Sequence, residues 1–211
     1  MKILVVGASQ GTGALAVKAA LAQGHQVTAF ARHPDKLVLE HPSLTRASGD
    51  FHQFESVVKA MPGHDAVIIT ASSTTLKGFR DNPSYFSQGT ANVIEAMKAT
   101  AVKRLVVLSA MGVGDSRKLA NFLVDKLVIS FLLKTPYVDH ERQEKLVMES
   151  GLEWVIARPG RLTNGPACGE YVKTPLVEKV PSSISRADVA EFLVEAATTD
   201  TWLRQAVQLG G

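Results

Sequence analysis

Short, unbroken apolar runs recur along this chain, and each leads into a segment whose apolar residues have helical spacing. Residues 3–6 (Ile-Leu-Val-Val) open the series and end on Gly7. A run that is apolar at consecutive positions predicts a strand buried on both faces, as in a parallel sheet covered by helices. Residues 12–23 (TGALAVKAALAQ) predict the first helix, closed by Gly24. Strands at 26–31 and 44–48, a helix at 54–61 stopped by Pro62-Gly63, and a fourth strand at 66–70 continue the rhythm. A helix at 84–100, a strand at 105–108, helices at 119–133 and 139–149, and a sixth strand at 154–157 follow. Arg158-Pro159-Gly160 is expected to stop that strand. Ser185-x-x-Asp188 is expected to cap a last helix, and residues 206–209 to add a terminal strand. Alternation of this kind implies right-handed crossovers, and so an α/β fold: a doubly wound, mostly parallel sheet with helices on both faces.

The chain has 211 residues, 45% hydrophobic and 20% charged, without repeats or a low-complexity linker. Residues 1–211 are therefore expected to form a single domain, with a small substrate-side portion from about 161 onward. A net charge of +3 is too thin for the clustered basic face that a phosphate backbone demands, so no nucleic-acid partner is expected. One cysteine, Cys168, excludes an internal disulfide framework and a cysteine zinc site. The apolar stretch at the start is too short for a signal sequence. The greasiest segment, 122–133, is broken by Asp125-Lys126 and too short to span a bilayer. The expectation is a cytoplasmic protein with no membrane partner, monomer or homodimer. The greasy segment reads as a buried helix, a lid or a dimer surface.

In a doubly wound sheet, ligands sit beyond the carboxyl ends of the strands. After the first strand comes Gly7-Ala8-Ser9-Gln10-Gly11-Thr12-Gly13. Glycines there permit a tight turn and close approach to a pyrophosphate, and the following helix aims unpaired N–H groups at the anion. Nineteen residues past Gly13, where an NAD site carries an acidic residue for the ribose, stands Arg32, followed by His33 and then Lys36. Cations suit a 2′-phosphate, which an arginine can grip with two N–H groups. The expected cofactor is NADP(H) in preference to NAD(H), held by Arg32 and Lys36.

These features together resemble the short-chain dehydrogenase/reductase superfamily, in its small atypical branch of biliverdin-reductase-B-like (NADPH flavin reductase) and NmrA-like proteins. The resemblance is carried by Gly7-x-x-x-Gly11-x-Gly13, Ala31-Arg32, Gly49-Asp50 and Gly89-Thr-Ala-Asn-Val-Ile-Glu95. Residues 105–109, Asp139-His140, Glu149-Ser-Gly-Leu152, Arg158-Pro-Gly160 and Ile184-Ser-Arg-Ala-Asp-Val-Ala190 complete it. It implies a Rossmann fold and specific roles. Asp50 would accept from the adenine amino group, with Phe51 beside the ring. Ala71, Ser72 and Ser73 would line the ribose and the approach to nicotinamide. Ser109 matches the catalytic-serine position, with Ala110 and Met111 near the nicotinamide. Pro159, Gly160, Arg161 and Leu162 would hold the carboxamide through backbone groups.

The chain departs from the family where carbonyl reduction needs a Tyr-x-x-x-Lys pair as proton donor. His140 stands at the lysine position, and Pro136, not Tyr137, lies four residues earlier. Ordinary alcohol dehydrogenation and epimerisation are therefore in doubt. Flavin or biliverdin-type reduction asks less, because a planar electron-poor acceptor can take its proton from solvent. His140 could orient the ribose or relay a proton, and Tyr137 is a further candidate donor. His140 and Glu144 share a helix face, but no third ligand is in motif spacing, so no metal is assigned. The function expected is an NAD(P)H-dependent reductase acting on a small planar redox substrate, a flavin or quinone, with flavin a substrate rather than a bound cofactor. The alternatives are an NmrA-like NADP(H) sensor and an epimerase-like enzyme for a sugar or small carbonyl compound.

Overall fold

The computed structural model describes residues 1–72, 76–119 and 134–211. Ser73 and the helix expected at 119–133, Leu119 apart, lie outside them. Among the described residues, ten strands and six helices follow one another, most of them where the apolar pattern puts them. In chain order they begin β1 (Lys2–Val6), α1 (Gly11–Ala22), β2 (Gln26–Ala31), β3 (Leu44–Ser48) and α2 (Phe54–Ala60). Next come β4 (Ala66–Ile69), α3 (Leu76–Asp81), α4 (Tyr85–Ala99), β5 (Arg104–Leu108) and α5 (Lys134–Glu149). The chain continues through β6 (Glu153–Pro159), β7 (Arg161–Thr163), β8 (Val172–Thr174), β9 (Ser183–Ser185), α6 (Arg186–Thr198) and β10 (Gln205–Gly210).

Eight strands form one sheet in the order β3-β2-β1-β4-β5-β6-β10-β8, and only β8 runs antiparallel to its neighbour. The remaining two, β7 and β9, pair separately and in parallel. Successive side chains of a strand point to opposite faces. Ile3 and Val5 accordingly pack against Ala16, Val17 and Ala20 of α1 and Phe192 and Leu193 of α6. Leu4 and Val6 face the other way, among Val57 of α2, Val93 and Met97 of α4 and Val147 of α5. β1 is buried from Ile3 onward because it lies between these two cores.

The strand order reverses between β1 and β4, and this opens the crevice where a doubly wound sheet takes its ligand. Two expectations need correction. β6 does not stop at residue 157 but runs through Pro159, whose carbonyl still accepts from Met111 N at 2.9 Å. The second concerns α5, which starts at Lys134, five residues before the expected start, and so carries Tyr137 within its first turns. Ser185 does cap α6, accepting from Asp188 N at 2.9 Å. The reciprocal half of a capping box is missing, since Asp188 instead accepts from the Ser185 hydroxyl and from the amides of Cys168 and Gly169.

Candidate functional site

The turn after β1 sets the floor of the site. Gly7 has φ +88°, and a Cβ there would overlap the backbone of Ala71 just beyond β4. Gly13 has no room for a Cβ either, because it sits against the Gly7 carbonyl and the Thr70 hydroxyl. The two glycines therefore let β1, β4 and the start of α1 crowd together, which no larger residue would allow. Helix α1 begins with no side-chain cap at Gln10 and no acidic residue in its first turn. Its N–H groups and positive dipole end remain available for an anion.

A cleft of about 1310 Å³ runs across these strand ends. Gly7, Ser9, Gln10, Gly11 and Thr12 line it at the bare helix end, together with Arg32 and Lys36. Neither cation makes an ion pair among the described residues. Asp50, Phe51, Ala71 and Ser72 line the middle, and Ser109, Ala110, His140 and Leu162 the far side. Ala8 and Gly13 lie beneath the floor, buried, and Met111, Tyr137, Pro159, Gly160 and Arg161 are not part of the wall. Three of the backbone groups expected to hold a carboxamide are already engaged. Gly160 N donates to Leu209 O, Arg161 N donates to Ser182 O, and the Pro159 carbonyl is taken by Met111.

Asp50 and Phe51 are held by neighbours the sequence reading did not single out. Asp50 Oδ1 accepts from His52 N at 3.0 Å and contacts His52 Nδ1 at the same distance. Phe51 packs at 5.3 Å on Tyr85 and leaves no room for a Cβ at Gly89 of α4. The invasion of α4 by this ring is the physical reason for a glycine inside that helix.

Helix α5 presents four polar side chains inward, Asp139, His140, Gln143 and Glu144, all buried. Asp139 Oδ2 accepts from the amides of Phe86 at 2.6 Å and Ser87 at 3.4 Å, so it caps α4 from another helix. His140 stacks on Phe86 with ring centroids 3.7 Å apart, and its Nδ1 lies 2.8 Å from Gln143 Oε1. Burial holds this imidazole below the ordinary histidine range, although Gln143, Glu144 and Asp139 all pull the other way. Tyr137 donates to Met111 O at 3.1 Å, and burial pushes its phenol upward. Ser109 donates to Glu144 Oε1 at 2.6 Å. Arg158 grips both oxygens of Glu144, with Nε to Oε1 at 3.0 Å and Nη2 to Oε2 at 2.7 Å, and pairs with Asp115 through Nη1. Burial opposes the Arg158 charge, but Glu144 and Asp115 outweigh it and hold the guanidinium above its usual value.

Glu144, Arg158, Phe86 and His52 are the residues the sequence reading missed as parts of the site. A signal existed for the first. Residues 139, 140, 143 and 144 share one helix face, and a polar stripe on the inward face of a helix calls for buried partners. Arg158 gave no such signal, because its partner lies fourteen residues away in the chain. Among the described residues no cluster of histidine, cysteine or carboxylate side chains could hold a metal ion. No described helix is long and apolar enough to cross a membrane.

The arrangement fits a dinucleotide: glycine-floored turn, bare helix end, unpaired cations, then an aromatic wall with a serine. A family model described as NAD(P)H-binding matches residues 7–200. An uncharacterized chloroplastic protein of Arabidopsis thaliana, At2g34460, is 28% identical over 92% of this chain and 71% of its own length. Among solved structures, the oxidoreductase ylbE of Lactococcus lactis superposes with a TM-score of 0.84 at 22% identity, covering 100% of this chain and 91% of that one. ChuY, an anaerobillin reductase from Escherichia coli O157:H7, gives 0.80 at 22%, covering 100% and 97%.

Proposed function

The chain belongs to the NAD(P)H-binding family, and on that premise we propose that it is a reductase using NADPH to reduce a flat acceptor such as a flavin or a quinone. One observation carries the reading: a single cleft joins unpaired cations at one end to the Phe86–His140 stack and Ser109 at the other. The protein's work is to hold two ring systems face to face. Residues Gly7 to Thr12 and the amino end of α1 receive the pyrophosphate, and Arg32 with Lys36 the 2′-phosphate. Phe86 and His140 give the nicotinamide end a flat wall that excludes water. When bound, the nicotinamide supplies a hydride. Tyr137 takes no part, since its hydroxyl is occupied by Met111 O and it lies outside the cleft wall. The similarity to ylbE and ChuY supports reductase chemistry without naming the acceptor.

Arg32→Ala tests the cofactor assignment. Charge-assisted hydrogen bonds contribute about 1.5–3 kcal/mol each. NADPH affinity should therefore fall about ten- to a hundredfold in a calorimetric titration, with NADH nearly unaffected. Equal weakening of both would contradict a 2′-phosphate at Arg32.

A further inference from the structure

A second arginine, Arg186, lines the cleft together with Arg32, and it stands on the opposite flank of β1. In the sheet, β2 lies to one side of β1 and β4 to the other. Arg32 follows the tip of β2. Arg186 is the first residue of α6, which packs on β4 and β5 and alongside α1. Both helices cover the same face of the sheet. Each begins where the cleft runs, α1 above β1 and α6 above its neighbours β4 and β5. A dinucleotide laid across the tip of β1 therefore has Arg32 on its adenosine flank and Arg186 on its nicotinamide flank.

The chain aims Arg186 in advance. β7 and β9 pair in register as far as Thr163 and Ser185, so the next residues, Asn164 and Arg186, leave the ladder side by side. Gly160 permits this close approach, since a Cβ there would lie 2.6 Å from the Ser182 carbonyl oxygen. Asn164 Oδ1 accepts from Arg186 Nη1 at 2.7 Å, and the Leu162 carbonyl lies 3.4 Å from the same nitrogen. Both of these acceptors are neutral. Asp188, the carboxylate closest in sequence, is taken up by the Ser185 hydroxyl and the amides of Cys168 and Gly169. Arg186 makes no ion pair among the described residues, whereas Arg104 and Arg158 each pair with two carboxylates. A half-buried guanidinium steered by neutral oxygens keeps its charge for an anion, and its Nε and Nη2 hydrogens remain to be given.

We propose that Arg186, positioned by Asn164, binds the diphosphate of the nicotinamide cofactor from the α6 side and so completes the cradle begun by the bare amino end of α1. NADPH carries two anionic groups, the 2′-phosphate and the diphosphate. Arg32 and Lys36 receive the first in the reading above, and Arg186, across β1 from them, is left with the second. The glycine turn offers backbone N–H groups; Arg186 adds a planar fork that can bond two phosphate oxygens at once. The tasks of the two arginines are then distinct. Arg32 tells NADPH from NADH, and Arg186 holds both alike. The inference rests on the cofactor placement proposed above and deepens it.

The test is a calorimetric titration of wild-type protein, Arg186→Met and Asn164→Ala with NADPH and with NADH, no acceptor being present. Arg186→Met keeps an apolar stem and removes the charge. Its affinity should fall about tenfold or more for both cofactors, with the NADPH-to-NADH ratio within about twofold of wild type. Asn164→Ala, at an exposed position, should weaken both by about threefold, because the guanidinium loses one orienting hydrogen bond. Loss confined to NADPH would make Arg186 a 2′-phosphate residue and overturn the inference. Unchanged affinity for both cofactors, with a defect only in the KM of an acidic acceptor, would overturn it as well. If Arg186→Met does not fold, the Asn164→Ala titrations decide by the same criteria. Wild-type protein that binds neither cofactor at millimolar concentration would overturn the cofactor reading itself.

Discussion

Glu144 is the residue on which most of the site's geometry hangs. It orients Ser109, neutralises Arg158 and has almost no contact with water. Removing one partner of a buried pair leaves the other charge stranded, at a cost of about 3–5 kcal/mol. Glu144→Gln should lower stability by roughly that amount in urea unfolding. A useful comparison is Lys145→Gln, which breaks an exposed pair with Glu149 at 3.9 Å and should change stability by less than about 0.5 kcal/mol. Similar losses in the two variants would mean that the buried pair is not the anchor described here. His140 gives a pH signature. Its folded pKa is depressed below the ordinary value of 6.5, so the unfolded chain binds the extra proton first on acidification. Stability from this group is fully present above about 6.5 and is lost as pH falls below it, by up to about 1.4 kcal/mol per pH unit until the folded ring itself titrates. His140→Phe should flatten the stability profile between pH 6.5 and 5 relative to wild type; an unchanged slope would place that titration elsewhere.

Among the elements, α4 and α5 work as a pair. Ser84 gives α4 no side-chain cap, and Asp139 of α5 caps it instead, while His140 lies on Phe86 one residue into the same helix. Asp139→Ala should therefore cost about 2–3 kcal/mol, because it strands buried amides and a hydroxyl. For a chain of this size that is a fall in Tm of roughly 5–10 °C, measured by circular dichroism. A shift under about 2 °C would mean that water replaces the cap. This contact also marks the limit of what the sequence discloses. Strands β2 and β3 are found where their apolar patterns put them, and β1 and α1 within a residue, because periodicity is a local property. The glycine turn and Arg32 were legible for the same reason: they sit at fixed offsets from a recognisable strand. β7, β8 and β9, three residues each, leave no periodic trace and exist only through their partners. Asp139 and Arg158 have meaning only through residues distant in sequence, and no local pattern discloses those.

For the whole molecule, the fold divides the labour between two ends of one cleft. The end at β1, β2 and α1 is built from backbone and cations, and it is the part that the sequence makes plain, whereas the NAD(P)H-binding family match, residues 7–200, spans both ends. The end at β5, α4 and α5 is built from side chains locked to one another, and there this chain departs from a tyrosine–lysine design. In the proposed reaction, hydride passes to a planar acceptor without help from Tyr137. Its most direct measurement is NADPH oxidation by wild-type protein and Tyr137→Phe, with FMN in one cuvette and a panel of sugar-nucleotide and small carbonyl compounds in another. Turnover with FMN is expected to survive in Tyr137→Phe within about threefold, with none from the carbonyl panel. Turnover confined to a carbonyl substrate and abolished by Tyr137→Phe would contradict it.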